Sequence, residues 1–314
     1  RFALGVGSGT DALFLSLKAA GVGEGDEVIT TPYTFFATVG SIVTAGAKPV
    51  FVDICEDYNI DTNQIEKAIS QKTKAIMPVH WSGLPCKMDV ILSIAEKNKL
   101  SVIEDACHAI LADYHGTPAG RFGLSGCFSM HPLKNLNVWG DGGYVITDSE
   151  EMYSQLALLR NHGLVSRDEC AVFAYNSRLD SIQAIVASHL LDKIRDITDA
   201  RIANAASFDE LLRSIPQITI PARPSNVRQV HHIYVVRAER RDQLQKHLAE
   251  KGIDAKIHYP IPMHLQPAAR SYGYRVGDFP VCEAVCDSVL SLPVHEYISF
   301  DQISCVVEEI KAFY

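Results

Sequence analysis

The first half of the chain alternates short apolar runs with stretches in which apolar residues recur at helical spacing. The runs rich in β-branched residues predict strands at 27–30, 49–52, 75–79 and 101–104. The other stretches predict helices at 11–20, 35–45, 62–70 and 90–98. Strands that alternate with helices in this way form βαβ units, so the pattern indicates a mostly parallel sheet flanked by helices.

The second half of the chain has a different pattern. Residues 149–201 are mainly helical, with one or two helices over 181–199, and prolines at 216, 221 and 224 then interrupt the chain. A strand at 233–236 and helices at 241–251 and 300–313 predict a smaller α+β unit. We therefore expect an α/β protein with a large domain over 1–200 and a small C-terminal domain over 201–314. Residues 1–6 read as a strand in mid-fold, so we also expect the natural protein to begin upstream.

Composition and charge narrow the class of protein. The chain has 314 residues, of which 47% are hydrophobic, enough for a substantial core. Its net charge of −8 without a basic cluster argues against a nucleic-acid partner, and no apolar run approaches the roughly 18 residues of a membrane span. The eight cysteines form no CxxC pair, which indicates reduced thiols of a cytoplasmic protein. Irregular spacing argues against a metal site made of His80, Cys86, Cys107 and His108.

Candidate chemistry follows the predicted strands, where ligands of parallel sheets bind. Residues 5–13 (GVGSGTDAL) form a small-residue turn that opens a helix, and such a turn exposes backbone N–H groups suited to a phosphate. Simple N-capping by Ser8 or Thr10 explains the same residues. The turn lacks both the lysine of a P-loop and the spacing of a GxGxxG motif, so it is weak alone.

An acid pair, Glu104 and Asp105, ends another buried strand. Such a pair is costly to bury unless a cation or a polar ligand lies there. Asp105 could hold a proton on a ring nitrogen, or it could cap a following helix. His108 would then lie on the same face of that helix as Asp105. For His108 alone, a hydrogen-bonded structural histidine is the simpler interpretation. Phe35 follows the strand at 27–30 and could stack on a flat ligand or pack into the core.

Lys134 lies on a turn between two further apolar runs, 126–128 and 144–147. A lysine there can reach solvent, pair with a carboxylate, or form a Schiff base with an aldehyde or ketone. Together, a phosphate seat, a carboxylate, an aromatic ring and this amine match the needs of pyridoxal 5′-phosphate. The combination is stronger than any one of its members.

The sequence resembles the DegT/DnrJ/EryC1/StrS sugar aminotransferases, which are fold type I pyridoxal-phosphate enzymes. The resemblance covers nearly the whole chain, through the stretches 8–13, 25–28, 32–35, 45–53, 104–106, 128–134, 175–179 and 258–260. It implies the fold type I architecture, with a mostly parallel central sheet and a smaller C-terminal domain. It also implies an enzyme that converts a keto-sugar (nucleotide-linked or phosphorylated) or a keto-cyclitol to the amine, with glutamate or glutamine as donor.

Residue roles carry over from this resemblance position by position. Lys134 corresponds to the Schiff-base lysine and proton shuttle, and Asp105 to the carboxylate that pairs with the pyridinium nitrogen. The remaining cofactor contacts implied are Phe35 on the ring, His108 near the ring oxygen, and Gly9, Thr10 and Ser129 on the phosphate. Asn176 would reach the phosphate across a homodimer interface, with Arg178 as the other candidate for that contact.

On the substrate side the resemblance points to His258, Tyr259, His264 and Gln266, which a polar, solvated loop would explain equally well. The chain departs from the family at Asp141, where glutamate is usual, and in a bulkier loop with Trp139. Three alternatives remain: a pyridoxal-phosphate-dependent sugar dehydratase, a non-catalytic regulatory homologue, and a nucleotide-binding Rossmann protein, which would explain the early glycines but not Lys134. Dehydratase relatives replace the lysine with histidine, so Lys134 favours transamination.

Overall fold

The computed structural model describes residues 1–314, with thirteen strands and ten α-helices. The strands are β1 (Phe2–Val6), β2 (Glu27–Thr30), β3 (Lys48–Phe51), β4 (Thr73–Ile76), β5 (Ser101–Asp105), β6 (Asp113–Tyr114), β7 (Thr117–Pro118), β8 (Ser125–Ser129), β9 (Gly143–Thr147), β10 (Ile218–Thr219), β11 (Val227–Arg228), β12 (Tyr234–Ala238) and β13 (Val289–Leu292). The helices are α1 (Gly9–Ala19), α2 (Phe36–Thr44), α3 (Thr62–Ala68), α4 (Met88–Asn98), α5 (Glu150–Arg160), α6 (Ser181–Leu191), α7 (Ile194–Leu212), α8 (Arg241–Glu250), α9 (Pro280–Ser288) and α10 (Phe300–Phe313).

Most predicted elements occur within a few residues of their expected bounds. The strand predicted at 75–79 instead ends at Ile76, because Pro78 has no N–H to donate to a strand ladder. The helical stretch at 181–199 is two helices, α6 and α7.

The central sheet has seven strands in the order β1-β9-β8-β5-β4-β2-β3. The pairs β2–β3, β2–β4, β4–β5 and β5–β8 are parallel, and β9 runs antiparallel to both of its neighbours. The expected mostly parallel sheet is therefore confirmed. All strands of this sheet except β9 run in the same direction, so their carboxyl ends lie along one edge. The amino end of β9 lies at that same edge.

The reversed strand β9 makes the Lys134 segment a hairpin loop. Ser129 at the end of β8 pairs with Gly143 at the start of β9. The loop 130–142 is closed by hydrogen bonds from Met130 N–H to the Gly142 carbonyl (2.8 Å) and from Val138 N–H to the Met130 carbonyl (2.9 Å). A Cβ on Gly143 would lie 2.4 Å from the carbonyl carbon of Ser8, so only glycine allows β9 this close to the start of α1.

The C-terminal part has its own antiparallel sheet, β10-β12-β13, and its own apolar core. Helix α7 runs without a break through the predicted boundary at residue 200, and its second half packs into that core through Ala205, Phe208 and Leu212. Position 200 is thus inside a helix and not in a linker. We keep the division into 1–200 and 201–314 as a proposal that is supported by the separate cores.

Glu104, the first acid of the pair at the end of β5, is fully buried and bonded on all sides. Its Oε2 contacts His80 Nε2 at 2.9 Å and accepts from Gly120 N–H at 2.7 Å, while Oε1 accepts from the N–H groups of Phe122 and Gly123, both at 2.7 Å. Successive strand residues point to opposite faces. Glu104 therefore has a structural role, and the side chain of the next residue, Asp105, points to the opposite face of the sheet.

We expect Glu104→Gln to reduce the free energy of unfolding by about 4 kcal/mol. In the glutamine variant an NH₂ group replaces one carboxylate oxygen. It cannot accept from the two donors that this oxygen now contacts, so two charge-assisted hydrogen bonds are lost. Urea unfolding followed by far-ultraviolet circular dichroism would measure the change. Glu56→Gln, at an exposed position, is the matched control and should change it by less than about 0.5 kcal/mol. A loss below about 1 kcal/mol in Glu104→Gln would contradict the structural role.

Candidate active site

A cleft of about 350 Å³ opens at the carboxyl edge of the central sheet. Nine of the residues predicted from the sequence line it together: Gly9, Thr10, Phe35, Asp105, His108, Ser129, Lys134, His258 and Tyr259. The first seven lie at or shortly after the ends of strands β1, β2, β5 and β8 of the central sheet, and the last two lie in the segment between α8 and α9. The rule that ligands bind beyond parallel strand ends therefore predicted the location of the cleft correctly.

The start of α1 forms one end of the cleft. Ser8 caps this helix, because its Oγ accepts from the Asp11 N–H at 3.0 Å. The N–H groups of Gly9 and Thr10, in the first turn, have no intrahelical partner. A Cβ on Gly9 would lie 2.6 Å from Ser129 Cβ, so glycine lets the helix end touch β8. The start of α1 can therefore be capped and still bind an anion, because the Ser8 cap uses only the Asp11 N–H and leaves the N–H groups of Gly9 and Thr10 available.

Asp105 lies in the cleft wall with 5% of its surface exposed. Its Oδ2 accepts from Thr38 Oγ1 at 2.7 Å, and its Oδ1 accepts from the Cys107 N–H at 3.2 Å. A turn with a hydrogen bond from Ala109 N–H to the Ala106 carbonyl follows β5, and no α-helix does. The helix-cap interpretation of Asp105 and the shared helical face with His108 are both wrong. The carboxylate is instead fixed in orientation by Thr38.

Lys134 projects from its hairpin loop into the cleft. Its backbone N–H donates to the His131 carbonyl at 2.8 Å, and its carbonyl accepts from Asn137 Nδ2 at 3.0 Å. No carboxylate lies within ion-pair distance of its amine. Burial lowers the pKa of Lys134, while the nearby Cys107 and Asp105 act in the opposite direction. The structure thus holds an unpaired amine that loses its proton more readily than a surface lysine.

Rings surround the rest of the cleft. Phe35 immediately precedes α2 and is 51% exposed, with its ring centroid 6.2 Å from that of Tyr259. His108 lies beside His232, with ring centroids 4.4 Å apart. Burial first, and Lys134 second, lowers the pKa of both histidines well below the ordinary value. Both imidazoles are therefore neutral near pH 7.

Sequence reasoning missed two of these residues, Thr38 and His232. Thr38 was visible only as one of several residues in an aromatic-rich stretch, and its bond to Asp105 spans 67 positions. His232 precedes β12 in a His–His pair that fits no motif spacing. Neither residue carried a local signal that could have identified it.

Four predicted site residues do not line the cleft of their own chain: Asn176, Arg178, His264 and Gln266. Asn176 is exposed, and its Oδ1 accepts from Arg178 Nε at 3.1 Å. His264 is 2% exposed, and its Nε2 is 3.1 Å from Glu283 Oε1. The predicted substrate role of His264 therefore conflicts with its position, because its ring packs on Phe279 inside the protein. Gln266 likewise bonds locally, to the Ile261 carbonyl at 2.9 Å.

The structure contains no group of three or more histidine, cysteine, aspartate or glutamate side chains arranged to hold a metal ion. None of its helices combines the length and the apolar character that crossing a bilayer requires.

The model of the DegT/DnrJ/EryC1/StrS aminotransferase family matches residues 1–311. The chain belongs to this family. A family relative from Geobacillus stearothermophilus, named pleiotropic regulatory protein, is 43% identical and aligns with 100% of this chain and 85% of its own length. Another from Acidithiobacillus ferrooxidans, named UDP-N-acetyl-3-dehydro-alpha-D-glucosamine 3-aminotransferase, is 39% identical over 98% of this chain and 83% of its own length.

Solved structures of the family share the fold closely. The crystal structure of DesV from S. venezuelae, described in complex with a ketimine intermediate, is 37% identical to this chain. It superposes with a TM-score of 0.97 over 100% of this chain and 85% of DesV. The expected fold type I architecture is therefore confirmed, and the DegT/DnrJ/EryC1/StrS family makes this chain an aminotransferase.

Proposed function

We propose that this aminotransferase uses pyridoxal 5′-phosphate to convert a ketone of a nucleotide-linked sugar to an amine, with glutamate or glutamine as donor. One observation carries the proposal: an unpaired amine, an oriented carboxylate and free helix N-terminal N–H groups share a single cleft. The aminotransferase named for a UDP-linked keto-sugar supports the substrate class.

The residues of the cleft fit the cofactor. The N–H groups of Gly9 and Thr10, with the Ser129 hydroxyl beside them, suit its phosphate. The Asp105 carboxylate suits its ring nitrogen, and the exposed face of Phe35 suits its ring. The Lys134 amine suits its aldehyde. His108 lies on the same wall of the cleft.

The cofactor supplies an aldehyde that captures amines and a cationic ring that accepts electron density from a deprotonated carbon. Lys134 Nζ would take a proton from the donor's α-carbon as general base and would then, as general acid, deliver it to the carbon that carries the cofactor's aldehyde. Its lowered pKa increases the neutral fraction that can act as base. Asp105, held by Thr38, keeps a proton at the ring nitrogen because a carboxylate stabilises the adjacent positive charge.

The substrate side of the cleft suits the hydroxyl groups of a sugar. His258 Nδ1 lies 2.6 Å from Ser291 Oγ, which fixes the orientation of its ring. Burial, Lys134 and Lys256 lower the pKa of His258 to about 4. At neutral pH this imidazole is therefore an uncharged hydrogen-bonding group. Such a group favours a sugar hydroxyl over an anionic substituent at that position.

A regulatory role without catalysis is the competing interpretation, because the Geobacillus stearothermophilus relative is named as a regulator. An assay of the purified protein with pyridoxal phosphate distinguishes the two. We expect glutamate or glutamine to bleach the absorption of the bound cofactor, and a UDP- or dTDP-linked keto-sugar to restore it with formation of the amino sugar. Bound cofactor that responds to no amino donor would contradict the enzyme function. Amination of the unlinked sugar at an equal rate would contradict the nucleotide requirement.

We further propose that the enzyme is a homodimer in which each chain completes the partner's site. Large apolar side chains are exposed around the mouth of the cleft and on the neighbouring segment 165–191, among them Leu133, Trp139, Phe173, Ile182 and Ile185. Gln183 Nε2 donates to the Trp139 carbonyl at 3.0 Å, so the Lys134 loop adjoins α6. An exposed apolar surface of this kind marks an interface.

Mixing two inactive variants tests the shared site. Lys134→Ala and Asn176→Asp should each be inactive, the second because a carboxylate repels the cofactor phosphate. Refolding equal amounts together should recover about a quarter of the parent activity, since half of the dimers carry one intact site. Asp287→Asn, at an exposed position of the small domain, is the control partner. A mixture of Asp287→Asn with Asn176→Asp should be no more active than the Asp287→Asn protein that it contains. No recovery with Lys134→Ala would place Asn176 outside the shared site.

A further inference from the structure

A second, much smaller cavity adjoins the main cleft beside Lys134. Its volume is about 10 Å³, and its polar lining includes His108, Lys134, Asn135 and His232. A space of this size accommodates about one water-sized sphere. Lys134, His108 and His232 line both the cavity and the cleft, so the two spaces meet at the amine-bearing side chain.

Three side chains around this cavity have a buried polar atom without a hydrogen-bond partner in the protein. These atoms are His108 Nδ1, His232 Nδ1 and Asn135 Oδ1. Asn135 is 3% exposed, and its Nδ2 donates to the Val230 carbonyl at 3.2 Å, which fixes the amide and leaves its oxygen free. Buried polar atoms in native proteins nearly always have a partner, from the protein or from ordered water.

The position of His232 is fixed by contacts from several parts of the chain. Its N–H donates to the Ser82 carbonyl at 3.1 Å. Arg201 Nη1 donates to the carbonyls of His231 (3.5 Å) and His232 (3.3 Å), and Arg201 Nη2 pairs with Glu296 Oε2 at 3.1 Å. His231 has a φ of 46°, a left-handed conformation that costs energy for a residue other than glycine. The tertiary structure thus holds this imidazole against a local backbone preference.

We propose that the small cavity binds one water molecule through His108, Asn135 and His232, and that this water hydrogen-bonds to the Lys134 amine. The site has enough partners, since a buried water typically forms about three hydrogen bonds. Two neutral imidazoles and an amide oxygen add no positive charge beside the lysine. The water therefore stabilises the ammonium that forms when Lys134 accepts a proton, and His232 is a positioning residue for that step. This catalytic part rests on the proposed function of Lys134, whereas the water site does not.

Crystal structures of the cofactor-free parent and two variants at about atomic resolution test the water site. We expect a fully occupied water within hydrogen-bond distance of Asn135 Oδ1 and at least one imidazole nitrogen in the parent. His232→Gln keeps a polar partner and should retain this water, whereas His232→Phe should lose it. A parent without the water, or a water unchanged in His232→Phe, overturns the proposal.

The pH profile of the holoenzyme tests the catalytic part. His232→Phe should lower kcat about fivefold, as expected for one lost hydrogen bond to the ammonium. It should also move the acid limb of the kcat profile to lower pH, because the protonated amine is less stabilised, while KM for the amino donor stays within about twofold. His232→Gln should restore both, and His295→Phe, at an exposed position, should match the parent. A parent-like profile in His232→Phe overturns this role. Failure of the proposed function would instead appear as an inactive parent.

Discussion

Replacing Lys134 with alanine will lower the rate of amino-group transfer by about 10⁴-fold. No other group in the cleft can replace it, because the neighbouring His108 and His232 have pKa values far below that of an amine and cannot capture an aldehyde covalently. Stopped-flow absorbance after addition of glutamate to the cofactor-loaded protein measures the first half of the reaction. Lys67→Ala, at an exposed position of α3, is the control and should match the parent. A Lys134→Ala variant with more than about a tenth of the parent rate would contradict the role of the lysine.

Replacing Lys134 should not lower the stability of the protein, although it abolishes the activity. Burial sets the folded-state pKa of Lys134 below its unfolded value, so charging the amine opposes folding at any pH below the unfolded pKa. Lys134→Met keeps the apolar stem and removes the amine. We expect its cofactor-free form to unfold at an equal or higher urea concentration than the parent. If replacing Lys134 abolishes catalysis but does not lower stability, the lysine is needed for the reaction and not for folding.

Replacing Asp105 with asparagine will lower the rate by about 10³-fold. The amide fits the same volume and can still accept from Thr38 Oγ1, but it carries no charge to hold a proton at a ring nitrogen. The remaining activity should rise as pH falls, because solvent protons then replace the missing electrostatic effect. Steady-state rates between pH 6 and 9 would show both effects. The control Asp287→Asn lies at an exposed position and should keep the parent profile.

Thr38 allows a graded version of this experiment. Thr38→Val removes the 2.7 Å hydrogen bond to Asp105 Oδ2 and keeps the shape of the side chain. We expect a rate about tenfold lower, which corresponds to one hydrogen bond to a charged group. An Asp105→Asn variant that is no slower than Thr38→Val would mean that the orientation of Asp105, and not its charge, carries the effect.

Much of the cleft could be predicted from the sequence because a simple geometric rule connects the two. Residues at or just beyond the carboxyl ends of parallel strands must meet at one edge, so Gly9, Phe35, Asp105 and Lys134 could be grouped without knowing any contact. The local conformation around them was harder to predict. Asp105 resembled a helix cap because aspartate is common there, and only the turn through Ala106 and Ala109 excludes that interpretation.

The residues that sequence reasoning missed or misplaced are set by long-range packing. The backbone of His232 is held by Arg201 of α7, which donates to its carbonyl and pairs with Glu296. His264 follows the family-like stretch 258–260 and so suggested a substrate contact, yet its ring packs on Phe279 and pairs with Glu283. No periodicity or motif encodes such packing choices, which depend on residues far apart in the chain.

The reversed strand β9 has a consequence for how this protein can diversify. Because β8 and β9 are adjacent and antiparallel, the segment between Met130 and Gly142 starts and finishes at the same place, and the sheet does not depend on its length. Lengthening such a loop costs little, since the closure entropy grows only with the logarithm of its length. Residues 139–141, including the exposed Trp139, can therefore be exchanged for longer or shorter segments while residues 134–138 keep their contacts next to β8. New acceptor specificities are thus accessible by loop grafting, without redesign of the catalytic core.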